Sequence, residues 1–179
     1  MQNDSPSRRR LLAATAATLT TTVAGCSSLP VTGSTAEQLV FDELHRTPTF
    51  VADGVDLTLH EVIPTVRKPD LAELLLLPGD TDTEAEQAAD WLTDDRSIAL
   101  LGDAAEPTWI DWEESDAFAE AFENEGIGDS EPDPQLLVGA TFENRTSTYG
   151  RTWADDPGER DLVQALDEIL VSIEGRTPA

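Results

Sequence analysis

The excess of acidic side chains is the feature that most constrains how this chain can fold. Its 179 residues contain 36 Asp and Glu against 11 Lys and Arg, which gives a net charge of −25 at pH 7. Repulsion among so many like charges opposes a compact state in dilute buffer. The same composition excludes sustained binding to nucleic acid, because the basic residues are few and scattered among the acidic ones. No apolar run of about 18 residues follows the N-terminal region, so a transmembrane domain is not predicted.

The first 25 residues have the pattern of an export leader. Arg8 and Arg9 precede a mildly apolar stretch, residues 11–25, that is too short and too polar to span a bilayer stably. The stretch closes with Val-Ala-Gly-Cys at residues 23–26, and Cys26 is the only cysteine of the chain. This segment resembles a twin-arginine signal followed by a lipobox. The resemblance implies cleavage before Cys26 and a lipid on its thiol, and the alternative is an ordinary leader with an incidental cysteine.

Loss of the leader would make the acid excess larger. The remaining chain has 35 acids against 8 bases, and Lys68 is its only lysine. Together with the twin-arginine signal and the lipobox, this composition is similar to that of secreted lipoproteins of haloarchaea. In concentrated salt the repulsion between their surface charges is screened, because the Debye length falls to about 3 Å at 1 M. We therefore expect a lipid-anchored domain on the extracytoplasmic face of the cell membrane. The expected organisation is a signal peptide (1–25), a lipidated Cys with a tether (26–33), one α/β domain (34–175) and a frayed tail (176–179).

Helical periodicity argues against disorder as the explanation of the acidic composition. Ser34 and Thr83 each precede a glutamate by three residues, as in a capping box, and apolar residues at helical spacing follow both. A third helix is predicted after Asp156, with a proline at its first position and a long apolar face. Gly175 is expected to end it.

Short apolar runs between these helices predict strands. Two of them are uninterrupted rather than alternating, which is typical of strands covered on both faces. The runs are 49–52, 74–77, 97–101 and 135–142. A further run, 146–153, is joined to the last strand by three residues that fit a hairpin. The predicted fold class is α/β, with a small mostly parallel sheet, helices on both faces and an antiparallel edge hairpin.

Two of the strands carry a second resemblance. Residues 74–80, the helix that follows and residues 98–103 resemble the central strand-helix-strand unit of class I glutamine-amidotransferase-like domains, which have a flavodoxin-like fold. Active members of that family place a nucleophilic cysteine in the turn after a strand. The corresponding turn here is 102–105 and holds no cysteine, so the amidotransferase activity is not carried over.

Three aspartates follow predicted strands beside glycines. They are Asp53, Asp80 and Asp103. Ligands of open α/β sheets bind beyond the carboxyl ends of the strands, and carboxylates there can hold a divalent cation. The alternative is turn chemistry, because Asp beside Gly is common in turns and this chain is rich in acids.

Other polar and aromatic residues give weaker signals. Trp109 and Trp112 could form an aromatic ligand platform, although packing in the core or in a lid is the more common use of such a pair. His45 and His60 are not at a metal-ligand spacing and are expected to be partly exposed polar residues. Asn144 begins a glycosylation sequon in the predicted hairpin turn.

These observations predict a membrane-anchored binding or interaction module that needs no cofactor and is not recognisably an enzyme. Its partners would be the membrane, through the lipid, and a surface protein or small ligand, but not nucleic acid. The alternative function is a metal-assisted hydrolase that uses Asp80 and Asp103 as metal ligands.

Overall fold

The computed structural model describes residues 40–123 and 133–176. In these residues it has six strands and four α-helices. The strands are β1 (Thr49–Val51), β2 (Thr65–Val66), β3 (Leu74–Pro78), β4 (Ser97–Leu101), β5 (Leu136–Phe142) and β6 (Arg145–Arg151). The helices are α1 (Ala85–Thr93), α2 (Ala105–Glu113), α3 (Asp116–Ala121) and α4 (Glu159–Glu174). The predicted leader, Cys26, the tether, the Ser34 cap and residues 177–179 lie outside the described residues.

The strands form one mixed sheet in the order β2-β1-β3-β4-β5-β6. Strands β1 to β4 are parallel to one another, β5 is antiparallel to β4, and β6 is antiparallel to β5. The sheet and its helices confirm the predicted α/β class. The antiparallel hairpin at the edge is also confirmed, with Phe142 opposite Arg145 at its turn.

The direction of β5 differs from the expectation that it would continue the parallel sheet. Beyond α3, the N–H of Glu123 donates to the carbonyl of Asn144 in the hairpin turn, at 2.9 Å. Gln135 lies at the opposite end of β5, where its carbonyl accepts the N–H of Gly102 at 2.8 Å. The chain thus enters β5 at the edge where β4 ends, so the two strands run antiparallel. Among the described residues, two helices, α2 and α3, lie between β4 and β5, and the sequence pattern did not resolve them.

Side chains of β3 alternate between two hydrophobic clusters, as the period of a strand requires. Leu74 and Leu76 belong to the first cluster, to which α4 contributes its buried face. Leu75 and Leu77 belong to the second cluster, which contains the buried residues of α1, α2 and α3. All four leucines are at most 2% exposed, which explains why the run is uninterrupted by polar residues.

Two helix starts lie later than the sequence predicts. α1 begins after Glu84, because the Thr83 hydroxyl is 2.9 Å from that of Thr81 instead of capping the helix. α4 begins after Gly158 rather than after Asp156, because it is Asp161 whose carboxylate accepts the Gly158 N–H, at 3.2 Å. The predicted end at Gly175 is confirmed.

The segment before β1 is not the helix that its spacing predicts in the described part, residues 40–47, where it forms turns. The backbone N–H groups of Asp42, Glu43 and Leu44 all donate to the carboxylate of Asp167 on α4. Because these donors are engaged by a side chain, they are not available for helical hydrogen bonds. A tertiary contact therefore replaces local helix formation here.

Candidate functional site

Three turns meet at the edge where the parallel strands β1, β3 and β4 end. Gly54 and Gly102 have φ of +94° and +105°, a region that favours glycine. Gly79 lies between them and donates its N–H to the carbonyl of Leu101 at 2.6 Å. A Cβ at Gly79 would lie 2.7 Å from the backbone nitrogen of Ala105. Gly79 thus lets the turn after β3 pack closely against the turn after β4, and the positive φ of Gly54 and Gly102 lets the chain turn at the ends of β1 and β4.

The sequence-predicted aspartates are all exposed at this edge, each beside one of the glycines. Asp53 follows β1, Asp80 follows β3 and Asp103 follows β4. In residues 40–123 and 133–176, no three His, Cys, Asp or Glu side chains form a group that could hold a metal ion. The three carboxylates share an edge without forming such a group.

A cleft of about 330 Å³ opens at the same edge. Asp103 lines it, whereas Asp53 and Asp80 do not. Its other lining residues come from the turn after β1, the ends of β3 and β4, the residue before β5, and the entry to α4. They are Gly54, Val55, Asp56, Pro78, Leu101, Gly102, Gln135, Asp156, Pro157 and Leu162.

The position of the cleft follows from the strand connections. The connection that leaves β1 contributes Leu57 and Ile63 to the first cluster, whereas the connection that leaves β3 contributes α1 to the second. The connections after these two adjacent parallel strands therefore go to opposite hydrophobic clusters. A crevice forms beyond the strand ends where neighbouring connections diverge in this way. The cleft lies between Gly54, after β1, and Pro78, at the end of β3. This is the usual ligand position in an open α/β sheet.

The lining combines apolar walls with carboxylates. Asp56, Asp103 and Asp156 are all exposed at the cleft, and none of its described lining residues is Lys, Arg or His. Gln135 is held in place because its Oε1 accepts the N–H of Trp153 at 2.9 Å. Hydrophobic surface with a few convergent polar groups is typical of small-molecule sites. The charge of this cleft suits a ligand that carries a positive charge or several hydrogen-bond donors.

Sequence reasoning missed two of these carboxylates and Gln135. The sequence pattern places Asp156 only before a predicted helix, and Asp56 carries no signal of its own. Asp56 reaches the cleft from the turn after β1, whereas Asp156 reaches it because of the antiparallel strands: β6 ends opposite the start of β5, at the same edge as the end of β4. The chain between β6 and α4 therefore passes along the carboxyl edge, and only the strand directions bring it there.

The tryptophan pair packs in the core instead of forming a ligand platform. Trp109 and Trp112 are 3% and 4% exposed in α2, and their rings meet edge to face at 5.9 Å. Both also contact the ring of Phe118. The indole N–H of Trp112 donates to the carbonyl of Thr83 at 3.1 Å. The pair thus joins the helical layer to the turn before α1.

The two histidines and the sequon asparagine are not among the residues that line the cleft. His45 and His60 are exposed, as expected. Asn144 is exposed in the β5–β6 turn with φ of +67°. Arg8, Arg9 and Cys26 lie outside the described residues. Within the described residues, none of the helices has the length and apolar character needed to cross a membrane.

Comparisons of the chain with protein-family models, with curated proteins and with solved structures find no match.

Proposed function

We propose that this chain is a lipid-anchored extracytoplasmic binding domain of a halophile, and that its cleft at the carboxyl edge takes a small organic cation. The observation that carries the proposal is the lining of this cleft. Asp56, Asp103 and Asp156 line it together with apolar side chains, and none of its described lining residues is basic. The anchor is inferred from the leader and from Cys26. The acidic composition supports a domain that works in concentrated salt.

The two hydrophobic clusters support a sheet covered by helices on both faces. One cluster contains α4 and the other contains α1, α2 and α3. In such a three-layer arrangement helices cover both faces of the sheet, so a ligand can reach the sheet only at its edges. A binding role located at the carboxyl edge is consistent with that arrangement.

Concentrated salt narrows the class of ligand. At 1 M salt the Debye length is about 3 Å, so the carboxylates attract only a group in direct contact with them. Salt also strengthens apolar association. A ligand that combines an ammonium group with an apolar body gains from both effects, because Val55, Leu101 and Leu162 line the same cleft. An inorganic cation lacks the apolar contribution.

The test is binding of n-butylammonium to the full chain by equilibrium dialysis in about 2 M KCl, with n-pentanol as a neutral ligand of similar size. We expect saturable binding of the ammonium and at least about tenfold weaker binding of the alcohol, a difference of about 1.4 kcal/mol. Saturable binding that is equal for both ligands, or no binding of the ammonium, would contradict the proposal.

Charge-matched variants locate the site. Asp103→Asn combined with Asp156→Asn should abolish binding of n-butylammonium, because both carboxylates line the cleft. Asp53→Asn combined with Asp80→Asn removes the same charge from exposed positions outside the cleft and should leave binding unchanged. Equal losses in the two double variants would show that overall charge, rather than this cleft, attracts the ligand.

A further inference from the structure

A second and larger cavity lies at the opposite edge of the sheet, beneath the last turn of α4. Its volume is about 760 Å³, within the range of small-molecule sites. The turn before β1, the start of β4, the end of β5 and the β5–β6 hairpin also line it. It shares no lining residue with the cleft at the carboxyl edge, so the two can be tested separately.

The floor of this cavity is a row of three small side chains, one from each of three strands. Ala140 on β5 is opposite Ser147 on β6, and extending the β4–β5 register by one pair places Ser97 on its other side. The residues two positions along each strand belong to the first cluster, to which α4 contributes; they are Ala99, Val138 and Tyr149. Because side chains alternate along a strand, the three floor residues face α4, and all three line the cavity.

The same alternation places the neighbouring polar side chains on the other face of the sheet. Thr141 follows Ala140 and is opposite Thr146, whose hydroxyl is 3.4 Å from the carboxylate of Glu113 on α2. By the extended β4–β5 register, Arg96 shares that face with Thr141. The floor beneath α4 therefore consists of two serine hydroxyls and a methyl group.

Both floor hydroxyls are available to a ligand. Ser97 is only 8% exposed and Ser147 is half-buried. Neither side chain forms a hydrogen bond within the described residues. A hydroxyl offers one donor and two acceptor positions, so it pairs well with the hydroxyl of a ligand. A charged group placed on this floor would lose its hydration without meeting an opposite charge. The floor therefore favours a neutral ligand.

Charged side chains lie at the mouth of the cavity rather than on its floor. Glu43 forms an ion pair with Arg46. The pKa of Arg46 is raised chiefly by its hydrogen bonds to Glu43 and also by the charge of Glu174, which places Glu174 near this pair. The guanidinium of Arg176 lies 5.1 Å from the centre of the Tyr149 ring. Further exposed carboxylates line the outer end of the cavity; they are Glu73, Asp95 and Glu143. The mouth thus repels anions but offers both acceptors and donors to hydroxyl groups.

Apolar side chains complete the wall of the cavity. They are Phe142, Leu170 and Ile173. Concentrated salt strengthens apolar association, whereas at 1 M salt the attraction between charges is screened over about 3 Å. A neutral ligand that combines hydroxyl groups with C–H surface therefore loses no affinity by screening and gains from the apolar wall.

We infer that this cavity binds a neutral saccharide of the size of a disaccharide. Two of its hydroxyl groups pair with Ser97 and Ser147, and others pair with Glu174 and Arg176 at the mouth. The C–H face of one sugar ring lies against the apolar wall. This inference does not depend on the proposed function of the carboxyl-edge cleft.

The test is equilibrium dialysis of the full chain in about 2 M KCl with maltose, cellobiose and trehalose as probes. Cyclohexanol is the comparison ligand, because it has an apolar ring but a single hydroxyl. We expect saturable binding of at least one disaccharide and at least about tenfold weaker binding of cyclohexanol. Raising KCl from about 2 M to about 4 M should not weaken the binding of the disaccharide, because it carries no charge.

Three results would overturn the inference. One is the absence of saturable binding of any of the three disaccharides. Another is binding of cyclohexanol that is as tight as that of the disaccharides, since the hydroxyl contacts would then contribute nothing. The third is a loss of disaccharide affinity at the higher salt concentration, which would indicate attraction between charges.

Serine variants locate the contact. Ser97→Ala combined with Ser147→Ala should weaken disaccharide binding at least about tenfold, because the ligand loses both floor hydroxyls. This double variant should unfold at the same urea concentration as the parent chain, because it removes no hydrogen bond of the described protein. Ser172→Ala is the control, since that hydroxyl is exposed on α4 and donates to the carbonyl of Glu168 outside the cavity. It should leave disaccharide binding unchanged.

A second variant fills the floor instead of removing its polar groups. Ala140→Leu places additional methyl groups in the cavity and should abolish disaccharide binding. Unchanged disaccharide affinity in this variant or in the double serine variant would overturn the inference, as would an equal loss in Ser172→Ala. Binding of n-butylammonium should be the same in all of these variants, because the two sites share no lining residue.

Discussion

The carboxylate of Asp167 joins the start of the described chain to its last helix. It is 7% exposed on α4 and accepts the backbone N–H groups of Asp42, Glu43 and Leu44 at 3.0, 2.9 and 2.8 Å. No local sequence pattern links these residues, which lie more than 120 positions apart. This turn is the first part of the chain that the structure describes. Its attachment to α4 is therefore a test of how the domain is held together.

The structure allows the cost of losing this carboxylate to be estimated. A hydrogen bond to a charged group contributes about 1.5–3 kcal/mol. Water can replace the partner of Asp42, which is exposed, and in part that of Glu43, but it cannot reach Leu44, which is 0% exposed. We therefore expect Asp167→Ala to lower the free energy of unfolding by about 3–5 kcal/mol. Asp167→Asn keeps an acceptor at the Oδ1 position, which serves Glu43 and Leu44, and should cost about 2 kcal/mol.

The assay is urea unfolding of the parent chain and the variants at one fixed concentration of KCl, followed by circular dichroism. Glu168→Ala is the matched control, because Glu168 is the exposed neighbour on the same helix and pairs only with Gln164 in the described hydrogen bonds of its side chain. It should cost no more than about 0.5 kcal/mol. If Asp167→Ala and Glu168→Ala differ by less than about 1 kcal/mol, the three hydrogen bonds do not contribute as reasoned.

Three further predictions concern packing, salt and the anchor. Gly139→Ala should destabilise the fold by about 3 kcal/mol or more, because its Cβ would lie 2.0 Å from the buried ring of Trp109. Gly158→Ala is the control, because the nearest atom to its Cβ would be 3.4 Å away, and it should unfold near the temperature of the parent chain. Equal melting temperatures of the two variants would contradict the packing argument. The thermal midpoint should rise steeply between about 0.1 M and about 3 M KCl, and coincident midpoints would show that the acidic surface is not an adaptation to salt. Cys26→Ser should release the protein into the medium or leave it unprocessed, and Arg8→Lys with Arg9→Lys should block its export. Cell fractionation measures both, and unchanged membrane retention of the Cys26 variant would contradict the lipoprotein interpretation.

Strands β1, β3 and β4 of the parallel half were predictable because they are short apolar runs between strong breakers, whereas the two-residue β2 (Thr65–Val66) was not predicted. The run 74–77 became β3 (Leu74–Pro78), and the run 97–101 matched β4. Buried strands of parallel sheets exclude polar residues from both faces, so each strand can be recognised in the sequence as an uninterrupted apolar run. The apolar faces of α1 and α4 were predictable for the corresponding reason, the helical period of their buried residues.

Contacts between distant segments explain the errors. Residues 40–47 have helical spacing, but Asp167 takes their donors. The direction of β5 depends on where the chain leaves α3, which the apolar pattern of β5 cannot specify. For the candidate site, the sequence indicated the edge through Asp beside Gly, and Asp103 lies in the cleft. It could not indicate Asp156, because that residue reaches the cleft through the directions of β5 and β6, and Asp56 carries no signal of its own in the sequence.

The sequence by itself determined the features that depend on composition and on neighbouring residues. These are the acidic composition, the α/β class, and the glycine turns that end the parallel strands. The leader and the lipid anchor remain predictions from the sequence. The tertiary structure decided which side chains share a space. The antiparallel β5 and β6 bring Asp156 to the same cleft as Asp103 at the carboxyl edge of the sheet. The physical reason is that local patterns report burial and backbone conformation, whereas a site depends on strand direction and register, which only long-range pairing sets.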